Sequence, residues 1–195
     1  MTAVEYRRRA SLTQTGEDLW RAYRDRLEQV GPDGALRMTV PYRNVQAVRL
    51  AFAPGRFQTS RFVMELQGTR SQLVLSNMHF AGIGNFEDRS ESFLPLVRAV
   101  VAGIAAANPA ARFTAGERPA FYWLMLAFNA FAFGMLALLL LNLPIVPGNI
   151  SASVMIKAVV ILFTLPLLFS WAVNSRPRRF NPASGLENVL AARGT

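Results

Sequence analysis

The chain has 195 residues and a formal net charge of +9, from 21 basic and 12 acidic side chains. It contains no cysteine, which excludes disulfides, thiolate zinc sites, cysteine nucleophiles and iron–sulfur clusters. Residues 1–118 carry 16 arginines and 11 acidic residues, whereas residues 119–173 carry Lys157 as their only charge. The sequence therefore predicts a polar module followed by an apolar one.

Residues 10–77 contain short runs of alternating apolar and polar side chains, separated by turn-forming residues, which is typical of β-strands. We predict six strands, in the segments ASLTQT (10–15), LWRAYR (19–24), LRMTVPY (36–42), NVQAVRLAF (44–52), SRFVMELQ (60–67) and SQLVLSN (71–77). We predict that Val48, Leu50 and Phe52 point inward, that Leu36, Met38 and Val40 share one face of their strand, and that Phe62, Met64 and Leu66 share one side of theirs. Strands joined by short turns form antiparallel sheets that bury one face.

The period of the pattern then changes to that of a helix. From Ser92, a candidate N-cap, apolar residues recur at spacings of three and four: Phe93, Leu96, Val97, Val100, Val101 and Ile104. Pro95 is tolerated in the first turn, and Asn108-Pro109 ends the helix. FEDRS (86–90) is predicted as a charged turn before it. Because neither the helix stripe nor the sheet face can remain in water, we expect the helix to close a bent sheet.

Residues 7–108 resemble a bacterial pleckstrin-homology-like (PH-like) domain. The resemblance rests on the order of strand pairs and closing helix, and on PYRNVQAVRL (41–50), which is similar to the strand, turn and strand of that family. It implies a binding or scaffolding module, often found beside transmembrane helices, and no catalytic motif. The first hairpin loop, TQTGED (13–18), is acidic, whereas lipid-binding members carry Lys and Arg there. We therefore do not expect phosphoinositide recognition.

Two apolar segments follow, and each is long enough to cross a membrane. Phe121 to Leu143 has 23 residues, about 34 Å as a helix, against a hydrocarbon core of roughly 30 Å. Pro144, Pro147 and Gly148 then turn the chain, and Ser153 to Val173 forms the second span with a bend at Pro166. The alternative, two buried helices of a soluble protein, is disfavoured because neither helix has a polar face.

The arginines flanking this hairpin indicate its orientation. Arg112 and Arg118 precede it, Arg176, Arg178 and Arg179 follow it, and the loop from 142 to 153 has no charge. The positive-inside rule places both termini in the cytoplasm, and residues 1–9 lack the apolar core of a cleavable signal peptide. We expect a multi-pass protein of the bacterial inner membrane whose five flanking arginines contact anionic lipid.

Polar and aromatic residues of the spans are predicted as interfacial anchors. Lys157 lies one turn inside the second span, where its stem can carry the ammonium to the headgroups. An ion-pathway role is the alternative, but the spans hold no partner carboxylate. Tyr122, Trp123 and Trp171 lie at the opposite, cytoplasmic edge.

A stripe of small residues follows the first span at spacings of three and four: Ala127, Ala130, Gly134 and Ala137. Such a stripe lets another helix approach closely. We expect the second span to pack there, and a helix of another protein is the alternative.

The sequence gives weak support for a catalytic site. Ser76, His79 and Asp88 are residue types that a hydrolase uses, but no nucleophile-elbow motif accompanies them. His79 is more simply a strand-end residue before the glycine-rich turn at Gly82 and Gly84. We predict no catalytic residues, no metal and no cofactor. Nucleic acid is not expected as a partner, because the positive charge is spread over the chain.

The C-terminal 22 residues are basic, contain Pro and Gly, and are too few to fold alone, so we expect them to lie against the soluble module or a partner. The predicted class is α+β, with a PH-like β domain (1–118), a transmembrane hairpin (119–173) and a cytoplasmic tail (174–195). The predicted function is a non-catalytic interaction or assembly module that binds lipid or protein at the membrane. The alternatives are an accessory subunit of a larger membrane complex and a membrane-bound hydrolase.

Overall fold

The computed structural model describes residues 3–53, 58, 60–68, 72–142, 153–155, 157, 159 and 176–191, and side chains of the helix at 119–142 as far as residue 138. The fold is α+β with antiparallel sheets, as the sequence predicts, and the described part of the chain contains four α-helical segments. The chain forms two compact units. The first comprises Met1–Ala115 and Arg178–Thr195, and the second Gly116–Pro177. The C-terminal tail therefore belongs with the β domain.

The first sheet of the β domain is antiparallel throughout. Its strands are β1 (Val4–Arg8), β2 (Asp18–Ala22), β3 (Arg26–Val30) and β4 (Leu36–Pro41), hydrogen-bonded in that order. A 3-10 helix at Tyr42–Asn44 follows β4 and leads into the second sheet.

The second sheet has five strands and includes one parallel pair. Its strands are β5 (Ala47–Phe52), β6 (Phe62–Gln67), β7 (Leu73–Ser76), β10 (Arg112–Ala115) and β11 (Arg178–Arg179), in the order β11-β10-β5-β6-β7. Strand β10 runs parallel to β5, because α1 (Ser90–Ala107) returns the chain along the domain between them. Between β7 and α1, β8 (Met78–Gly82) and β9 (Asn85–Asp88) form a separate hairpin.

Helix α1 closes the core, as its apolar spacing predicts. Its six predicted inward residues are all buried, and Phe93 packs on Tyr6 with ring centroids 5.2 Å apart. Gly103 allows the helix to lie directly on the ring of Tyr42, since a Cβ at Gly103 would lie 2.7 Å from Cδ2 of that ring. The helix begins at Ser90, so Ser92 is not its N-cap, and Asn108 is its C-cap as expected.

The remaining helices lie in the second unit and in the tail. Helix α2 (Pro119–Asn142) corresponds to the first predicted span, and residues 153–155, 157 and 159 of the second predicted span are also helical. The rest of the second span, with Pro166 and Trp171, and the turn at 143–150 lie outside the described residues. Helix α3 (Leu186–Ala191) belongs to the β domain.

Two described helices are long and apolar enough to cross a membrane, namely α1 and residues Pro119–Leu138 of α2. Their burial distinguishes them. Helix α1 presents its apolar face to the core of the β domain, whereas only 6% of the α2 window is buried. Among the described helices, α2 is therefore the long apolar one whose side chains are not buried in a protein core.

Three predictions for the β domain are wrong in detail. Residues 10–17 form no strand and Leu12 is exposed, whereas Val4–Arg8, which we did not predict, pairs with β2. A further strand, β3, follows the turn at 23–25. The segment FEDRS contributes to β9 and is not simply a turn. In β1 and β3 charged side chains on the exposed face hide the alternation, since only one residue in two faces the core.

The strand directions define two ends of the β domain. The last residue of β4 and the first residue of β5 lie at one end of the domain. The first residue of β4 and the last residue of β5 therefore lie at the opposite end. Strand β10, parallel to β5, ends there at Ala115, and β11 begins there at Arg178. We call this the exit end, because the chain leaves the domain and returns to it there. The loops 9–17 and 31–35 and the β8–β9 hairpin also lie at the exit end.

Candidate functional site

The ladder between β10 and β11 joins the two stretches of chain that flank the apolar segment. Ala115 lies opposite Arg178 and Thr114 opposite Arg179. The register continues into the tail, where the backbone N–H of Phe180 donates to the carbonyl of Phe113 at 3.2 Å. The rings of Phe113 and Phe180 meet edge to face with centroids 5.9 Å apart. The two strands are short, and this ring contact adds apolar burial to their few hydrogen bonds.

The tail is fixed further by α3. Leu186 and Leu190 are buried in the same core as α1. On the surface, the guanidinium of Arg98 donates to both carboxylate oxygens of Glu187, at 2.7 and 2.9 Å. The tail thus lies against the β domain, one of the two positions the sequence analysis allows.

Three of the five arginines predicted to contact lipid lie on β10 and β11. Arg112, Arg178 and Arg179 are all exposed, and none has a side-chain hydrogen bond or ion pair within the described part of the chain. Arg118 and Arg176 belong to the second unit, where the carbonyl of Arg118 accepts the N–H of Tyr122 at 2.8 Å. The structure thus groups Arg112, Arg178 and Arg179 as one positively charged edge.

A groove of about 430 Å³ opens beside this edge. Residues from the end of α1, from β10 and from the tail line it: Ala105, Pro109, Ala111, Arg112, Phe113, Arg179, Phe180, Asn181 and Pro182. This lining contains two guanidinium groups and no carboxylate. Guanidinium groups bind carboxylates and phosphates through paired N–H donors, and the two phenylalanines offer apolar contact. The groove can therefore accept an anionic group that carries an apolar portion.

A second polar group lies at the exit end, around His79. The backbone N–H of Arg9 donates to Nδ1 of His79 at 3.1 Å, and Nε2 lies 3.6 Å from Glu17. Arg89 binds Glu17 at 2.9 Å and Glu87 at 3.4 Å. Burial lowers the pKa of His79, and the charge of Arg89 lowers it further. The hydrogen bond from Arg89 lowers the pKa of Glu17. These contacts join the end of β1, the β8–β9 hairpin and the start of α1.

The three residues weighed as a hydrolase site do not bond to one another. The Oγ of Ser76 accepts the N–H of Met78 at 3.1 Å, and its carbonyl accepts the hydroxyl of Tyr6 at 2.6 Å. Asp88 accepts hydrogen bonds from Asn77 and Ser90. His79 has the partners given above, so each described side chain has a structural role. Within the described part of the chain, no group of three His or acidic residues could hold a metal ion.

The small-residue stripe of α2 lies open to solvent for most of its length. Ala127, Ala130 and Gly134 are exposed, and nothing lies within 4 Å of a Cβ built at Gly134. Most of the second span lies outside the described residues, so its packing against this stripe stays a prediction. The more covered face of α2 runs instead through Tyr122, Asn129 and Phe133.

The predicted interfacial anchors differ in exposure. Trp123 is 64% exposed and contacts the Tyr122 ring edge to face at 5.5 Å. Tyr122 is only 7% exposed, so its ring is covered by protein rather than presented at a surface. Lys157 is half-buried and helical.

Sequence reasoning missed the groove, and it missed the strand and the helix by which the tail packs on the β domain. Phe180, Leu186 and Leu190 were apolar signals in an otherwise polar tail, and Phe113 alternates with polar neighbours in β10. The signal was present, but the partner of each residue lies across the whole apolar segment. Comparison with protein-family models, curated proteins and solved structures finds no match to this chain.

Proposed function

We propose that this protein is a non-catalytic interaction or assembly module with a PH-like domain, held at the cytoplasmic face of the inner membrane by a helical hairpin. The observation that carries the proposal is the pairing of Ala115 with Arg178. These residues precede and follow the apolar segment, yet they are neighbours in one folded unit. A segment whose two ends meet in one domain must leave and re-enter on the same side of a membrane.

The number of crossings follows from length. Residues 119–173 provide two spans of about 20 residues each, the length that a hydrocarbon core of roughly 30 Å requires. The described part of α2 supports the first, because its large apolar side chains Leu124, Phe128 and Phe131 are more than 60% exposed. In water this surface would be unfavourable by about 25 cal/mol per Å², and lipid removes that cost.

The positive edge supports the cytoplasmic side. Arg178 begins β11, and Arg118 stands one residue before α2, so basic residues flank both ends of the apolar segment. Positively charged residues next to spans remain on the cytoplasmic side. Each such residue near an anionic leaflet contributes about 1 kcal/mol of attraction.

The groove supports a binding role rather than a purely structural one. Its two arginines lack carboxylate partners in the described part of the chain, and four of its nine lining residues come from the tail. We propose that it binds an acidic, partly apolar segment of a protein partner, or an anionic lipid. The separate hydrogen-bond partners of Ser76, His79 and Asp88 support a non-catalytic role.

A second candidate is an accessory subunit of a larger membrane complex. The exposed stripe at Ala127, Ala130 and Gly134 supports it, because small residues let helices of another subunit approach closely. Purification in a mild detergent from native expression separates the two. A subunit elutes in fixed stoichiometry with larger partners, whereas an independent module elutes alone or with substoichiometric partners.

Sidedness reporters fused to each terminus test the anchoring. We expect both reporters to be active only in the cytoplasm, and alkaline carbonate to leave the protein in the membrane pellet. Reporters on opposite sides, or release by a salt wash, would refute the hairpin.

Binding in the groove is tested by a paired substitution, Arg112→Gln with Arg179→Gln. The matched control is Arg24→Gln with Arg43→Gln, which removes two exposed arginines that do not line the groove. We expect the groove pair to lose the partners or lipids that co-purify with the wild type, and the control pair to retain them. Equal loss in both pairs would mean that net charge alone, and not the groove, governs binding.

A further inference from the structure

Exposed aliphatic side chains of the β domain concentrate at its exit end. Four large apolar residues of this domain are strongly exposed among those described: Leu12 at 61%, Leu36 at 59%, Val74 at 39% and Ile83 at 87%. Leu12 and Ile83 lie in the loop 9–17 and the β8–β9 hairpin, and Leu36 follows the loop 31–35. Three of the four therefore share the end at which the chain leaves for the apolar segment.

The loop 9–17, the loop 31–35 and the β8–β9 hairpin lie next to one another, and we call their exposed ends the tips. The Nη2 of Arg9 donates to the carbonyl of Leu12 at 3.1 Å, and its guanidinium lies 5.5 Å from the ring of Phe80 in β8. The N–H of Phe80 in turn donates to the carbonyl of Arg9 at 2.9 Å. On the other side, a Cβ built at Gly16 would lie 2.6 Å from Cβ of Pro32, so the loops 9–17 and 31–35 touch.

The β8–β9 hairpin presents its apolar residue without cover. Ile83 stands between two glycines at the tip, and Gly84 adopts φ of 72°, which the tight turn requires. Nothing lies within 4 Å of a Cβ built at Gly82 or Gly84. An isoleucine at such a tip gains nothing from contact within the domain. It can gain free energy only from an apolar environment outside the domain.

Two arginines near the tips form no ion pair within the described residues. The side chain of Arg9 donates to the carbonyls of Gln14 and Leu12, and Arg7 is exposed with no described carboxylate partner. The nearby carboxylates of Glu17 and Glu87 are already paired with Arg89. Arg7 and Arg9 therefore form no ion pair within the described part of the domain.

The chain itself limits what can cover these tips. Only residues 116–118 separate β10 from α2, and four steps of extended chain span at most about 14 Å. If α2 crosses a bilayer, the end of β10 at Ala115 lies within that distance of the start of the helix. Connectivity therefore brings the exit end of the domain to the side of the bilayer at which α2 begins.

We propose that Leu12, Leu36 and Ile83 insert into the headgroup and upper acyl region of the same bilayer that holds the apolar segment, with Arg7 and Arg9 at the anionic headgroups. This inference rests on the membrane anchoring proposed above. Shallow insertion of aliphatic side chains beside basic residues is the arrangement of interfacial protein segments. It fixes the orientation of the β domain on the membrane, which a two-stranded tether alone would leave variable.

The absence of native cysteine gives a direct test. Full chains carrying Ile83→Cys or Leu12→Cys are labelled with a polarity-sensitive fluorophore and reconstituted in vesicles of phosphatidylcholine and anionic phosphatidylglycerol. Quenchers attached to the upper acyl chain, and iodide in the buffer, report the surroundings of each probe. Matched controls are Arg43→Cys, exposed at the opposite end of the domain, and Phe128→Cys, exposed on α2.

We expect the probes at 83 and 12 to be quenched by the acyl-chain quencher and protected several-fold from iodide relative to the probe at 43. If the probe at 128 is quenched by lipid while those at 83 and 12 respond only to iodide, the inference is wrong and the anchoring stands. If the probe at 128 is not quenched by lipid, the anchoring fails and the inference with it. Protection of 83 and 12 from both quenchers would mean that protein covers the tips, which also overturns the inference.

Discussion

Arg98 of α1 and Glu187 of α3 form a two-point ion pair between residues 89 positions apart in the sequence. Both side chains are largely exposed, so the pair itself adds little stability. Its importance lies in what it marks, since directly beneath it Leu186 and Leu190 enter the core of the β domain. The tail is thus held chiefly by apolar burial, and the ion pair specifies its position on α1.

This division of roles gives the first prediction. Leu190→Ala should destabilise the β domain by about 2–3 kcal/mol, because it deletes a nearly fully buried side chain. Glu187→Gln should have a much smaller effect, since it removes only an exposed charge. Proteolytic cleavage after the arginines at 178 and 179 by trypsin measures tail release. Rapid cleavage in the Leu190 variant alone is expected, and equal cleavage in both would mean that the ion pair holds the tail.

Domain stability can be followed by one fluorophore. The chain has three tryptophans, and Trp20 is the one in the β domain, where it is 5% exposed. In a background with Trp123→Phe and Trp171→Phe, the emission of Trp20 should shift to longer wavelength when the domain unfolds in detergent. The predictions that follow use this readout.

The contact between Gly103 and Tyr42 gives the second prediction. In most helices Gly→Ala is stabilising by about 1 kcal/mol. Here the new methyl group would meet the ring of Tyr42, so Gly103→Ala should destabilise the domain instead. The hydroxyl of Tyr42 is buried without a described hydrogen-bond partner, so Tyr42→Phe should be neutral or stabilising. A stabilising Gly103→Ala would show that the helix and the ring can separate easily.

Asn77 gives the third prediction. It is fully buried, its Oδ1 accepts the N–H of Phe62 at 2.7 Å, and its Nδ2 lies within 3.0 Å of acceptors on Ser60, Asp88 and Ser90. Asn77→Ala leaves several buried groups unpaired, at a cost of about 1–3 kcal/mol for each. Asn77→Asp keeps the shape but places a carboxylate beside Asp88, and it should be at least as destabilising. The midpoint of denaturant unfolding compares the two, and a stable Asp variant would contradict the assigned donors.

His79 gives the fourth prediction, which concerns pH. Burial and Arg89 lower its folded pKa below the ordinary 6.5, although Glu17 and Glu87 act in the opposite direction. Between the two pKa values the unfolded chain binds more protons than the folded one, so stability is complete above about pH 6.5 and falls as the pH drops. Protonation would also place a hydrogen on Nδ1 of His79, which could then no longer accept the N–H of Arg9.

The control for this prediction is His79→Asn, whose carbonyl can still accept the N–H of Arg9 but does not titrate. Unfolding midpoints measured from pH 8 to pH 5 should fall in the wild type and stay level in the variant. The loss of the Glu17 contribution should appear only below its ordinary pKa of 4.5, because its folded pKa is lowered. Parallel curves for the wild type and the variant would remove His79 as the cause.

The sequence allowed the class, the core helix and the apolar span to be predicted because each has a strong local period. The six inward residues of α1 recur at helical spacing, and β6 pairs with β7 as the turn between them indicates. Strand β1 was missed since Tyr6 is its one fully buried residue among charged neighbours. The groove could not be predicted, because Phe113 and Phe180 meet only through a pairing across the apolar segment. A contact between residues so distant in sequence leaves no local pattern of apolar spacing.

The returning tail also determines when the β domain can finish folding. Ribosomes make Leu186 and Leu190 last, after both apolar stretches have been synthesised, yet these leucines complete the core formed by the first half of the chain. Until then the nascent domain has an open apolar surface beside α1 and an unpaired edge on β10. Completion of the domain therefore waits for synthesis of the whole apolar segment. A chain truncated before the tail would expose that surface and become a substrate for chaperones and proteases.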